Sequence, residues 1–449
     1  MINKATALDR SQQLIQSAMR QGADGADAVA RASSSESVSV RLGALEDVER
    51  SESEAIGLRV FVGQRSASIN TSDFARDALE EIAARAVAMA RAAPEDRYAG
   101  LAPQDLLATG DLPELDLEDS DDEPGPEALR ERAIATETAA LDVDGVTTSV
   151  SASATFARSV AALVTSHGVA AAYAATSHAQ GAAMIAGEGA DMQRDYEYRA
   201  TRHFEDLPSP ADIGAEAGQR TAAKRDPGRL PSGPMPVVFD PRVGSSLVSH
   251  LLGAMSGAAA ARGTSLLLDR MDEPLFGPAI RIMDDPHRLR GHRSRPLDGE
   301  GLPTSKRALV EGGKVTGWLT NAAAAKQLGI GLTGHAALGS GGAPGISASN
   351  VYLEPGTISV RDLIADIERG VFVTELIGQG INMVTGDYSR GASGFRIENG
   401  EIAGPVTEFT IAGNLLTMFP ALRAADDLEF KGGIDVPTLR VDGMTVAGE

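Results

Sequence analysis

The stretch SSLVSHLLGAMSGAAAARGTS, residues 245–265, decides how this protein is read. Helical spacing puts Leu247, Leu251, Ala254 and Ala258 in one apolar row and Val248, Leu252, Met255 and Ala259 in a second. Ser246, His250, Gly253 and Gly257 make a third row of mostly small residues, which lets neighbouring backbone come close. The pattern predicts one long buried helix carrying a single histidine. A zinc hydrolase helix needs two histidines about one turn apart, with a glutamate beside them to take the proton of the metal-bound water. Around His250 stand Ser246, Gly253, Ala254 and Met255, and no Asp or Glu occurs between Asp240 and Asp269. The second imidazole and the base are both missing, so His250 reads as packing.

Outward from this helix, the second half holds VEGGKV (310–315), IENGEI (397–402) and VDGMTV (441–446). Each places a two-residue pair that favours positive φ between strand-like flanks. Three hairpins predict a mainly antiparallel, barrel-like C-terminal domain, residues 227–449, around the helix. DPGRLPSGPMP, 226–236, reads as the linker into it.

The first half reads as an α/β domain with a mixed sheet, so the whole is α+β. It divides into region 1–110 and a middle region, 111–226, of helices and strands. A helix over 6–21 precedes an alternating stretch broken at Gly43 and Gly63, the mark of a strand meander. A helix over 75–93 spaces Leu79, Ile82, Ala86 and Met89 for one buried face. The acidic, Pro-punctuated run 111–127 predicts an exposed connection. A further helix to Leu141 leads into strands that end in the tyrosine-rich RDYEYRATRHF, 194–204. Ser209, Pro210 and Asp212 form a helix start, as cap, first-turn proline and first-turn acid.

Composition narrows the function. Of the 449 residues, 62 are acidic and 41 basic, a net charge of -21 that repels phosphate backbones and anionic membranes. No nucleic acid and no membrane partner are expected. The absence of cysteine excludes disulfides and thiolate chemistry. The first residues carry helical periodicity and charges instead of a secretory core, so a cytoplasmic location is expected. Residues 159–187 have no Lys, Arg, Asp or Glu, but their Ser, Thr, His and Gln suit neutral strands better than a membrane span.

Three further constellations carry candidate chemistry. His287 and His292 share a Pro- and Gly-broken loop with Asp284 and Asp285, without a third defined metal ligand. His335, in LTGHAALGSGGAPG, lacks the spacing and lysine of a phosphate loop and reads as part of a mobile or peptide-contacting loop. In TGDYSRGASGF, 385–395, Ser389 with His335 and Asp387 would make a nucleophilic triad, yet Ser389 is not in a Gly-x-Ser-x-Gly elbow. Asp387 and Arg390 read as a salt bridge or as turn-closing groups, with Tyr388 packed beneath a neighbouring strand.

PVVFDPRVGSSLVSHLLGAMSGAAAARGTSLLLD, RPLDGEGLPT, VTELIGQGINMVTGDYSRGASGFRIENGEIAGPV, EFTIAGNL and MQRDYEY resemble the TldD/PmbA family, and within it the PmbA, or TldE, branch. The resemblance implies a two-subunit cytoplasmic peptidase. Its TldD-type subunit carries a His-Glu-x-x-x-His helix and a downstream cysteine, whereas the PmbA type lacks the metal site and helps enclose the peptide. Anchored on Gly263-Thr264-Ser265, the metal positions fall on Val248 and Gly253, and the glutamate on Ser249. The resemblance therefore implies no catalytic residue, metal or cofactor in this chain, with zinc held by a TldD-type partner. It implies a heterodimer acting on unfolded or small peptides held by strand addition, and leaves the isolated chain free to pair with itself. His335, Asp387, Tyr388 and Arg390 are the expected peptide-groove or partner-interface residues. The rival expectations are a non-proteolytic modulator of gyrase or of a toxin–antitoxin pair, and a self-sufficient hydrolase using Ser389.

Overall fold

In the computed structural model, which describes residues 1–121, 123–339 and 342–449, the alternating stretches become long antiparallel strands. Asp122 of the acidic connection and Ser340 and Gly341 of the glycine-rich loop lie outside the described residues. Helix α1 (Lys4–Arg20) is followed by β1 (Gly25–Arg41), β2 (Ala44–Val62), β3 (Arg65–Thr71) and helix α2 (Arg76–Ala92). Helix α3 (Pro126–Leu141), strands β4 (Val146–Thr165), β5 (Ala170–Ala186) and β6 (Gln193–Thr201), and helix α4 (Pro210–Ala223) complete this half. The six strands form one sheet, β3-β2-β1-β4-β5-β6, with β6 at an edge. Every pairing in it is antiparallel, which corrects the expected mixed sheet.

All four helices cover one face. Ala26, Ala28, Ala30 and Ala32 of β1 pack with α1 and α2, while Val38 and Val40 pack with α3 and α4. Period-two alternation keeps these side chains on one side. Helix α4 starts as the sequence predicts, with Ser209 accepting from the Asp212 N–H. It approaches α3 so closely that a Cβ on Gly214 would meet the Thr136 carbonyl at 2.2 Å. Two local expectations fail. Met89 is exposed, and Ala83, Val87 and Ala90 join Leu79 and Ala86 in the buried face of α2. The acidic connection is anchored, with Leu115 and Leu117 buried and the Leu117 carbonyl accepting from Thr176 N at 2.9 Å.

The opposite sheet face packs Val29, Leu163 and Ala171 against Leu297 and Leu302 of the second half. That half begins with β7 (Gly233–Phe239), α5 (Pro241–Ala254) and α6 (Gly257–Ala261). Short elements follow: β8 (Ile282–Asp284), β9 (Arg307–Glu311), β10 (Lys314–Val315), α7 (Ala322–Leu328), β11 (Val351–Leu353) and α8 (Val360–Ile364). Long strands β12 (Arg369–Ile381), β13 (Asp387–Glu398) and β14 (Glu401–Asn414) come next, then α9 (Leu415–Met418), β15 (Leu422–Ala424), β16 (Ile434–Asp435) and β17 (Leu439–Ala447). Strands β14-β13-β12-β7-β17 close into a five-stranded barrel through the β14–β17 pairing. The α+β class and the C-terminal barrel are as the sequence predicts. The parallel pairs, β7 with β12 and β11 with β16, lie in this half.

The opening stretch does not form one helix. After Met255 the backbone is captured by a neighbouring segment: Gly257 N–H donates to the Leu319 carbonyl at 2.8 Å, and Leu319 N–H donates to the Met255 carbonyl at 2.9 Å. Those bonds replace the helical ones, so α5 ends and α6 restarts. Helix α5 buries Leu247, Val248, Leu251 and Ala254 in the barrel core and leaves Ser249 and Gly253 exposed. VEGGKV and IENGEI form hairpins. VDGMTV does not. Asp442 and Gly443 are a bulge within β17, with Gly443 at φ +77. Among the described residues no helix is long and apolar enough to cross a membrane.

Candidate functional site

The cleft of interest lies where edge strand β6 faces α5 and the barrel. In β6 the usual alternation is inverted: Asp195 and Glu197 are buried, whereas Tyr196 and Tyr198 are 48% and 55% exposed. Buried carboxylates need partners. Asp195 has Lys224 Nζ and Arg242 Nη1, each at 3.0 Å. Burial opposes its ionisation, but these two cations outweigh burial and hold its carboxyl below the usual range. For Glu197 burial wins over Arg220 and Arg199, and its pKa is raised. Arg242 also meets Asp240, the N-cap of α5, at 3.2 Å, and Lys224 reaches Glu375 of β12 at 3.3 Å. These ion pairs tie α4, β6, α5 and β12 together.

Between them is a cavity of about 350 Å³, lined by Tyr196, Ser246, Thr374, Glu375 and Arg390 among others. A second cavity, about 600 Å³, shares Tyr196 and Arg242 with it and extends past Tyr198. Thr374 sits at a register break where β12 leaves the barrel. Up to Val373, β12 has β7 on one side and β13 on the other. From Thr374 to Ile381 it pairs with β13 alone among the described residues, so its other edge is free.

Tyr388 and Arg390 are two residues apart on β13 and share its buried face. Tyr388 packs in the barrel core, edge-on to the His250 ring at 6.3 Å between centroids. Burial lowers the His250 pKa, and the charge of Arg390 lowers it further; burial raises that of Tyr388. Both rings are neutral near pH 7.

The other predicted residues are elsewhere. Asp387 is on the outward face, where it accepts from Thr385 Oγ1 at 2.6 Å and Asn414 Nδ2 at 3.0 Å. It closes the turn and makes no ion pair with Arg390, because adjacent parities of a strand point to opposite faces. His335 is buried, not in a groove: Nε2 lies 3.0 Å from Asp284 and Nδ1 2.9 Å from Thr333. Ser389 faces outward, and the ring nitrogens of His335 are engaged with other groups, so no triad forms. His287 bonds Thr304 and Asp285 meets Lys306, while Asp284 is held by His335 and Ser349, so these side chains have separate partners.

At the positions the resemblance assigns to the metal, Val248 is buried in the barrel core, and Ser249 Oγ donates to the Ser245 carbonyl at 3.2 Å. A Cβ on Gly253 would meet Met383 Cε at 3.5 Å. Neither imidazole nor carboxylate is present there, and this donor set does not fit zinc. Among the described residues no three His, Asp or Glu side chains converge for a metal ion.

Sequence reading missed Asp195, Lys224, Arg242, Thr374 and Glu375. The available signal was DYEY: alternating acids and tyrosines mean that one set faces inward. The inward set is decided by whether cations wait underneath, and Lys224 and Arg242 belong to other elements.

Residues 26–90, 119–225 and 232–448 match, in that order, domain 1, the central domain and the C-terminal domain of the PmbA/TldA metallopeptidase models. The chain is 35% identical to metalloprotease PmbA of Escherichia coli O157:H7, over 95% of this chain and 93% of that one. A Bacteroides thetaiotaomicron structure named for modulation of DNA gyrase superposes with TM-score 0.90 at 26% identity, over 98% of both chains. TldE from Thermococcus kodakarensis shares the fold, with TM-score 0.85 at 22% identity over 98% of this chain and 100% of that one. Matched along nearly its whole length, this chain belongs to the TldD/PmbA family of metallopeptidases, in its PmbA (TldE) branch.

Proposed function

We propose that this chain is the non-catalytic subunit of a cytoplasmic, two-subunit peptidase, and that it holds unfolded or small peptides for cleavage at the zinc of a TldD-type partner. One observation carries the reading: the exposed side of α5, where the resemblance puts a metal-binding helix, offers a serine hydroxyl and a glycine beside a cleft that opens onto a free strand edge. A peptide bound along residues 375–381 of β12 would gain main-chain hydrogen bonds there, while Tyr196 and Tyr198 supply apolar surface opposite.

The test is to purify this chain alone, a TldD-type subunit alone, and the two together, and to follow cleavage of an unstructured peptide. Activity is expected from the mixture and not from this chain. Chelator-sensitive cleavage by this chain alone would overturn the assignment. A non-proteolytic modulator role is favoured only by the names of two structural relatives. Pull-downs that recover client proteins but never a TldD-type subunit would shift the reading to it.

A further inference from the structure

The smaller cavity beside β6, about 350 Å³, contains one cation more than its carboxylates balance. Arg194, Lys224 and Arg242 face Glu375, Asp195 and Asp240. Arg390 lines the same cavity, is only 8% exposed, and has no acidic partner among the described residues. Its Nε donates to the Ile377 carbonyl in a long contact, 3.4 Å. Three more buried polar atoms on this side of the barrel lack a hydrogen-bond partner among the described residues: Thr374 Oγ1, Tyr388 Oη and His250 Nε2. Tyr388 and Thr374 are 2% and 8% exposed. Burying such groups unpaired costs on the order of 1–3 kcal/mol each, and an unpaired charge costs more. Three of them near one guanidinium, whose charge acts on both rings, is therefore unusual.

The chemistry specifies what would satisfy them. Neutral Tyr388 and the Thr374 hydroxyl donate, neutral His250 donates from Nε2 in one tautomer, and the guanidinium presents a planar fork. All want acceptor oxygens. A single surplus positive charge matches a monoanion; a dianion such as phosphate would leave a buried negative charge. A carboxylate has both the charge and the bidentate geometry. The neighbouring free edge of β12 suits an extended chain that ends here.

We propose that Arg390, with Thr374, Tyr388 and His250, forms a binding site for one carboxylate, supplied by the C-terminus of a peptide lying along β12. The carboxylate chemistry follows from the side chains alone, whereas the peptide as its source rests on the role proposed above.

Isothermal titration of the full chain tests both parts with three probes: tetra-alanine as the free acid, tetra-alanine amide, and acetate. The free acid is expected to bind at least about tenfold more tightly than the amide, the size of one charge-assisted hydrogen-bonded pair. Arg390→Gln should bring the acid down to the amide level. Tyr388→Phe, which removes one donor and no charge, should weaken the acid about threefold or more and leave the amide unchanged. Thermal melts of each variant verify folding. Equal binding of acid and amide, no binding of acid or acetate, or unchanged affinity in a folded Arg390→Gln protein overturns the site. Acetate binding without peptide binding supports the carboxylate site and removes the peptide as its source. Peptide-acid binding by a chain that never activates a TldD-type subunit supports the site and defeats the subunit role.

Discussion

Two buried arginines lie at opposite charge imbalances. Arg59, on β2, has Asp27 at 3.0 Å from its Nε and Glu300, from the C-terminal half, at 3.9 Å. Two carboxylates therefore share one cation. Arg390 has none. The first site relieves its excess with a proton: burial pushes the Glu300 carboxyl up to about 7, while the Ala322 N–H and Arg59 only partly oppose the rise. The second has no group that can shed charge, because a guanidinium does not deprotonate at ordinary pH. A closed interior can settle an excess carboxylate by protonation, whereas an excess arginine at a cleft calls for an outside anion.

The largest way to break this contrast is Arg59→Met. It leaves Asp27 and Glu300 buried without a cation and should cost about 3–5 kcal/mol in urea unfolding. A loss under 1 kcal/mol would mean that the pair is not needed.

Next is pH. Because the folded carboxyl of Glu300 titrates near 7 and its ordinary value is 4.5, the folded state holds a proton there that the unfolded chain has released. The contribution is full below about 4.5 and is lost as pH rises through 7, up to roughly 3 kcal/mol in all. Glu300→Gln keeps an acceptor for Ala322 and should abolish that slope, raising the urea midpoint at pH 8 relative to the parent while changing it little at pH 4.5. Parallel slopes in the two proteins would refute the assignment.

Arg390→Met should behave opposite to Arg59→Met. Removing an unpaired charge from the interior is expected to raise stability by about 2 kcal/mol. A loss as large as that at Arg59 would show a partner that the structure does not reveal. The smallest effect is that of Tyr388→Phe, which deletes a hydroxyl without a partner and should raise stability by about 1 kcal/mol.

The legibility of the fold tracks the range of the forces involved. Turn pairs such as Asn399-Gly400, at φ +52 and +79, act over two residues, and the cap Ser209 acts over three, so both could be read directly. Asp442-Gly443 has the same local preference, with Gly443 again at positive φ, yet β17 continues through it because β7 pairs on both sides of the bulge. Local preference permits a turn; the partner strand decides whether the chain reverses. The candidate site was legible only in part. TGDYSRGASGF singled out Tyr388 and Arg390, but the expected Asp387–Arg390 ion pair does not form and His335 went elsewhere, since a strand splits neighbours between its faces and Asp284 claims His335 from a distant segment.

By itself the sequence determined the α+β class, the placement of most helices and strands, the family, and the lack of a second imidazole and of any carboxylate on α5, because these depend on residue type and short-range spacing. The tertiary structure alone decided where the opening helix breaks, which set of β6 side chains turns inward, and which buried arginine is left without a carboxylate among the described residues. Those outcomes depend on backbone and charges brought from residues far away in the chain, and the electrostatic cost of burial acts on distance in space.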